Sequence, residues 1–265
     1  MKVEAVLATY LEVVDSVAPG LVEGLYVVGS YALNDWVDGA SDIDIVAVTA
    51  EPATDDDFEL LRSAHAKLSD RQPKPDIDGP YLAWGDLLIE PATGLHRPWK
   101  LGDELHHDGD CFEINPVLWF SLAKYGIAVR GPDPRILGIP TDTEARIRWV
   151  VGNLQTYWSA VARQVDDACR GAEPATFETA AFVWCVLGSL RLHYTAFTGD
   201  VTSKRGAGEH GLRVAATQFH PTIRAAMAHR AAGELGEVSA EQMQRAASLI
   251  RWCTTEVTEA VSKPF

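Results

Sequence analysis

Leu25-Tyr26-Val27-Val28-Gly29-Ser30 and, eleven residues after Ser30, Ser41-Asp42-Ile43-Asp44-Ile45-Val46-Ala47-Val48 are the two stretches whose reading decides the fold. Leu25 to Val28 and Ile43 to Val48 are continuous apolar, largely β-branched runs rather than alternating ones, which predicts strands buried on both faces. Gly29 directly after the first strand lets the backbone approach a phosphate closely. Ser30 and the amides opening a helix from Tyr31 onward make an anion cradle. Asp42 and Asp44 stand two apart at the start of the second strand, where the period of two puts both carboxylates on one face. Paired carboxylates beside a phosphate cradle attract magnesium, which prefers oxygen ligands and shares its coordination sphere with substrate phosphates. This is the donor set of two-metal displacement at phosphorus.

Working outward, Val3, Val6, Leu7, Leu11 and Val14 recur at helical spacing and stop at Pro19-Gly20, so a helix precedes the first strand. Asp55 to Leu68 predicts a helix, and Asp76 to Trp84 a third strand entered through Gln72-Pro73-Lys74-Pro75. Residues 94 to 110 crowd Gly, His and Asp and read as a loop over the sheet edge. Pro116 to Tyr125 reads as a helix and Ile127 to Arg130 as a short strand or turn, followed by Gly131-Pro132-Asp133-Pro134. From Thr141 on, only helical segments are expected, at about 142–168, 176–197, 207–217, 221–231 and 239–262. The fold class is α+β, a mixed sheet with helices over residues 1–135 followed by an all-α bundle over residues 136–265.

In the second half, Trp184, Leu187, Arg191 and Tyr194 share one helical face. An arginine in an apolar stripe needs a negative partner, either a triphosphate or an internal carboxylate. Gly199 ends this helix, and Lys204 projects from the loop or turn that follows.

Gly29-Ser30 with Ser41-Asp42-Ile43-Asp44 resembles the polymerase-β-like nucleotidyltransferase superfamily. The resemblance implies a third carboxylate on the next strand. Asp76, Asp78 and, further off, Asp86 or Glu90 are the candidates, and Asp78, which opens the segment leading to Tyr81-Leu82-Ala83-Trp84, is chosen as metal ligand, general base, or both. Arg191 to Lys204 (Arg-Leu-His-Tyr-Thr-Ala-Phe-Thr-Gly-Asp-Val-Thr-Ser-Lys) and Gly126 to Pro132 resemble the aminoglycoside adenylyltransferases that modify streptomycin and spectinomycin, colinear from about residue 20 to residue 260. That family implies ATP as co-substrate, contacted by Arg191 and Lys204, and a small, hydroxylated, cationic acceptor. Its streptomycin-modifying members carry an acid where Ala181 stands, and a tryptophan in the stretch matching Leu101 to Asp110, which has none. The resemblance therefore favours a spectinomycin-like aminocyclitol over streptomycin. A non-antibiotic small molecule, a protein hydroxyl, or a silent nucleotide-binding regulator are the alternatives. His106-His107-Asp108-Gly109-Asp110-Cys111-Phe112-Glu113 reads as a substrate-facing or plain surface loop, since adjacent histidines seldom chelate one ion.

Composition bounds these readings. The 265 residues are 47% apolar with a formal charge of −14, against broad binding to a nucleic-acid backbone and compatible with a cationic partner. Four dispersed cysteines show no zinc spacing, and the first residues lack a signal peptide's basic flank and apolar stretch. A cytoplasmic protein, without membrane or nucleic-acid partner and monomeric, is the expectation.

Overall fold

The computed structural model describes residues 2–91, 95–107, 109, 111–170, 176–233 and 235–261. Two compact units divide the chain, Met1–Asp142 and Thr143–Phe265. The Gly131-to-Pro134 turn therefore falls inside the first unit, because Leu137 and Ile139 beyond it still pack into that unit's core.

In the first unit α1 (Val3–Val17) leads to β1 (Gly24–Val27), the single turn α2 (Gly29–Ala32), β2 (Ile43–Thr49), α3 (Asp55–Arg71) and β3 (Ile77–Ala83). The unit continues with β4 (Trp99–Leu101), β5 (Glu104–His106), α4 (Pro116–Tyr125) and β6 (Ile127–Arg130). The six strands form one sheet in the order β5-β4-β3-β2-β1-β6, with β2 and β3 parallel and the other pairings antiparallel. Continuous apolar strands require cover on both faces, and the sheet has it. Ile43, Ile45, Ala47, Ile77 and Tyr81 pack with α1 and α3, whereas Val46, Val48 and Leu82 pack with Trp119 and Leu122 of α4. Each large side chain so buried contributes roughly 1.5–3 kcal/mol.

Caps set the helix starts. Thr54 and Asp57 form a reciprocal capping box on α3, and the Asn115 side chain accepts from the amides of Val117 and Leu118, with Pro116 in the first turn of α4. A polar contact lies within the apolar layer: the Tyr81 hydroxyl meets that of Tyr10 at 2.7 Å and His65 Nε2 at 2.6 Å.

The expected loop at 94–110 contains a strand pair instead. Gly102, at φ +55°, turns β4 into β5, and the chain there adds two short edge strands that the Gly, His and Asp composition conceals. Asp108 and Asp110 of the histidine-rich cluster lie outside the described residues.

The second unit runs α5 (Thr143–Asn153), a π-helical turn (Leu154–Trp158), α6 (Ser159–Cys169), β7 (Thr176–Glu178) and α7 (Thr179–Thr198). It ends with α8 (Lys204–Val214), α9 (His220–Ala232), β8 (Glu237–Ser239) and α10 (Ala240–Val261). The unit is helical as expected, apart from the three-residue antiparallel pair β7–β8, too short to show alternation in sequence. Lys204 is not on a loop. It is the first residue of α8, whose cap is Ser203, accepting from the Gly206 amide at 3.1 Å. Among the described residues no helix is long and apolar enough to cross a membrane.

Candidate active site

The parallel pairing of β2 with β3 sets Asp44 directly beside Asp78. Opposite residues of neighbouring strands share a face, so two carboxylates stand about 5 Å apart at the strand level. Asp42, just before β2, lies close enough to Asp78 to raise its pKa, so the three acids named from sequence are neighbours.

Gly29 closes one side of this group. At φ +59° it holds a left-handed conformation, and a Cβ there would come within 1.8 Å of Asp44 Oδ2. The next amide, of Ser30, points at the same oxygen at 3.4 Å. The glycine thus brings the chain against the carboxylate and aims a backbone donor into the site. Gly79, next to Asp78, lets β3 run close against β2, since a Cβ there would meet the Ile45 carbonyl oxygen at 1.9 Å.

Asp78 is buried, and its Oδ1 accepts from the Gly102 amide at 2.9 Å, a contact made by the β4–β5 turn. Burial, then the negative charge of Asp42, pushes its carboxyl up to about 7; the Gly102 amide and Lys100 offset part of this. Lys100, on β4, is itself 7% exposed. The other candidate acids have partners of their own. Asp86 takes two bonds from Arg97, at 2.7 and 2.8 Å, plus the Ala83 amide, and Asp76 pairs with Lys74. Glu90 is exposed on the surface.

A fourth acid, Glu113, was not singled out by the sequence pattern. It lies two residues before the Asn115 cap of α4, the helix covering the face on which Asp44 and Asp78 stand, and Asn115 Nδ2 donates to its carbonyl at 3.0 Å. Burial, then Asp44 and Asp78, pushes its carboxyl up to about 8. Nothing local in Cys111-Phe112-Glu113-Ile114 marks it; only the docking of α4 brings it in.

Clustered carboxylates with raised pKa values form a centre of negative charge that a cation would relieve. The donors are all hard oxygens, as magnesium requires. Among the described residues no three acids, histidines or cysteines form a group that could hold a metal by themselves.

In the second unit, Arg191 is half-buried on α7 and its Nε donates to the Thr202 carbonyl at 3.1 Å, tying the helix to the segment just before Lys204. Of the expected stripe, Trp184 and Tyr194 are half-buried like Arg191, while Leu187 is wholly buried. Arg146, buried on α5, bonds the Gly199 carbonyl and holds the turn between α7 and α8.

Residues 7–81, which include Gly29, Ser30, Asp42, Asp44 and Asp78, match the nucleotidyltransferase domain family. The chain carries a nucleotidyltransferase domain. As a fold, the chain is similar to a crystal structure of spectinomycin adenyltransferase AAD(9) from Enterococcus faecialis with ATP and spectinomycin, at TM-score 0.70 and 13% identity, covering 97% of this chain and 100% of that one. No curated protein matches the sequence. The expected architecture, a nucleotidyltransferase mixed sheet followed by a helical unit, is therefore that of a known adenyltransferase, and the enzyme is a transferase.

Proposed function

We propose that this nucleotidyltransferase moves AMP from ATP to a hydroxyl of a small molecule, with two magnesium ions held by Asp42, Asp44 and Asp78. The observation that carries the reading is the register of β2 on β3, which stands Asp44 beside Asp78 with Gly29 against the Asp44 carboxylate. When bound, magnesium neutralises charge on the triphosphate and on the departing pyrophosphate. Ser30 and the Gly29 turn receive the phosphates through backbone and hydroxyl donors. Asp78 is pushed up to about 7 without metal, and bound magnesium would lower it, so its part as general base rests on its place beside Asp44. The acceptor oxygen bonds to the α-phosphorus, its proton passes to Asp78, and the bond from that phosphorus to pyrophosphate breaks. Arg191 and Lys204 contribute positive charge to ATP.

The acceptor we favour is an aminocyclitol of the spectinomycin type, a reading supported by the fold's likeness to an enzyme solved with ATP and spectinomycin. Such a reaction would confer antibiotic resistance in the cytoplasm. The test is mass spectrometry of ATP, magnesium and a panel of aminocyclitols incubated with protein. A mass increase of one AMP is expected with the wild type, falling at least about 100-fold in Asp44→Asn. An unchanged rate in that variant ends the metal-carboxylate account.

A further inference from the structure

Lys100 carries an ammonium in a place where one is costly. It is buried on β4, and among the described residues neither a carboxylate nor a carbonyl oxygen bonds it. A charge taken out of water without a bonded partner is tolerated only where opposite charge lies near.

Strand register fixes where Lys100 stands. It pairs with Gly79 of β3 on one side and with Leu105 of β5 on the other. Asp78 directly precedes Gly79, so by strand alternation Lys100 is on the opposite face of the sheet from the Asp78 carboxylate. Leu105, its partner on β5, accordingly packs with the core under α1 and α3. The ionisable groups on that face offer no negative charge. Burial, then Lys100, holds His65 down at about 4, its Nε2 lies 2.6 Å from the Tyr81 hydroxyl, and burial raises Tyr81 well above the ordinary phenol value. The negative charge that Lys100 meets is on the other face, where it offsets part of what burial and Asp42 do to Asp78. Two residues along the same strand, the Gly102 amide bonds Asp78 Oδ1 at 2.9 Å, so the segment that carries the cation also holds the acid in place.

We propose that Lys100 is a built-in countercharge to the acids: from behind the sheet it lowers the affinity of the nucleotide-free site for magnesium, so that the metal enters with the triphosphate. The proposal rests on the metal-carboxylate reading above. Standing on the far face, Lys100 is a positioning residue that acts through its field rather than by touching metal or substrate. One fixed positive charge about 10 Å away changes the affinity for a divalent ion about fourfold even at the dielectric of water. A triphosphate brings several negative charges of its own, which outweigh one ammonium, so magnesium that arrives on ATP is not turned away.

The test is calorimetric titration of magnesium chloride into the nucleotide-free, full-length protein, at low ionic strength and about pH 9, above the ordinary carboxylate range. Lys100→Met, similar in length and uncharged, should bind magnesium at least about fourfold tighter than the wild type, and Lys100→Arg, which keeps the charge, should stay within about twofold of it. Far-ultraviolet circular dichroism checks that each variant is folded, and Lys100→Gln replaces Lys100→Met if that variant is not. Equal or weaker binding in the uncharged variant, no saturable binding in it, or the same tightening in Lys100→Arg would overturn the proposal. Asp44→Asn separates this outcome from the reading beneath it. Magnesium binding undiminished in Asp44→Asn would defeat the metal-carboxylate account itself, whereas binding lost there but unchanged in Lys100→Met would defeat the countercharge alone.

Discussion

Replacing Asp78 by Asn should make the metal-free protein more stable while removing its activity. The reason lies in the site's charge. Asp78 ionises at about 7 in the folded protein, against an ordinary carboxylate value of 3.8, because burial and Asp42 both oppose its negative form. The sign follows from linkage. A group whose folded value is raised adds stability that is complete below the unfolded value and is lost as pH climbs through the folded one. Across that interval of about three units the loss is of order 4 kcal/mol at 1.36 kcal/mol per unit. Asn keeps the oxygen that accepts from the Gly102 amide but has nothing to ionise, so it escapes this loss. At roughly 2–4 °C per kcal/mol for a chain of this size, the variant's melting temperature should exceed the wild type's by on the order of 10 °C at pH 8.5, and by little at pH 4. Thermal melts by circular dichroism in chelator, at both pH values, measure the difference. Added magnesium and ATP should narrow the gap by stabilising only the wild type. A difference independent of pH, or an Asn variant less stable than wild type at pH 8.5, would refute the claim that Asp78 sits in uncompensated negative charge.

Gly29→Ala should reduce kcat/KM at least about 100-fold, since the new Cβ meets Asp44 Oδ2 at 1.8 Å in a left-handed backbone that costs about 1–3 kcal/mol for a non-glycine residue. Steady-state kinetics at saturating magnesium check this, and wild-type kinetics in the variant would show that the Gly29 approach is dispensable. In the second unit His193 Nδ1 meets His210 Nε2 at 3.0 Å, with His193 stacked between Phe197 and Trp252. Burial, then His210, holds His193 down at about 4, and burial, then Arg213, lowers His210. Both rings are kept neutral, so their contribution is present above the unfolded value near 6.5 and lost as pH falls toward 4. Acidification from pH 7 to pH 4 should lower the helical unit's melting temperature, and His210→Gln should flatten that slope; an equal slope in the variant would place the acid sensitivity elsewhere.

Several parts of this molecule are written locally. Gly29-Ser30 ends one apolar strand, Asp42 and Asp44 open another, and strand alternation alone puts the two acids on one face. Helix positions in the second unit are likewise legible, because an apolar stripe of several turns repeats often enough to be read. Short elements are not: β4, β5, β7 and β8 have three residues each, fewer than any periodic signal needs. Lys204 reads as a loop residue because Gly199 ends one helix, yet four residues later Ser203 caps the next.

The amino-acid sequence by itself determined the chemistry available: a phosphate-approaching glycine, paired carboxylates at a strand start, and a mixed sheet followed by helices. Tertiary structure alone decided which acids face one another. Asp78 stands beside Asp44 because β3 pairs in parallel with β2 in that register, while the other candidates Asp86 and Asp76 bond Arg97 and Lys74. Glu113 joins them through the docking of α4. Periodicity within one element sets which way a side chain points, but the charge it meets there comes from another element, and that is settled only when the two pack.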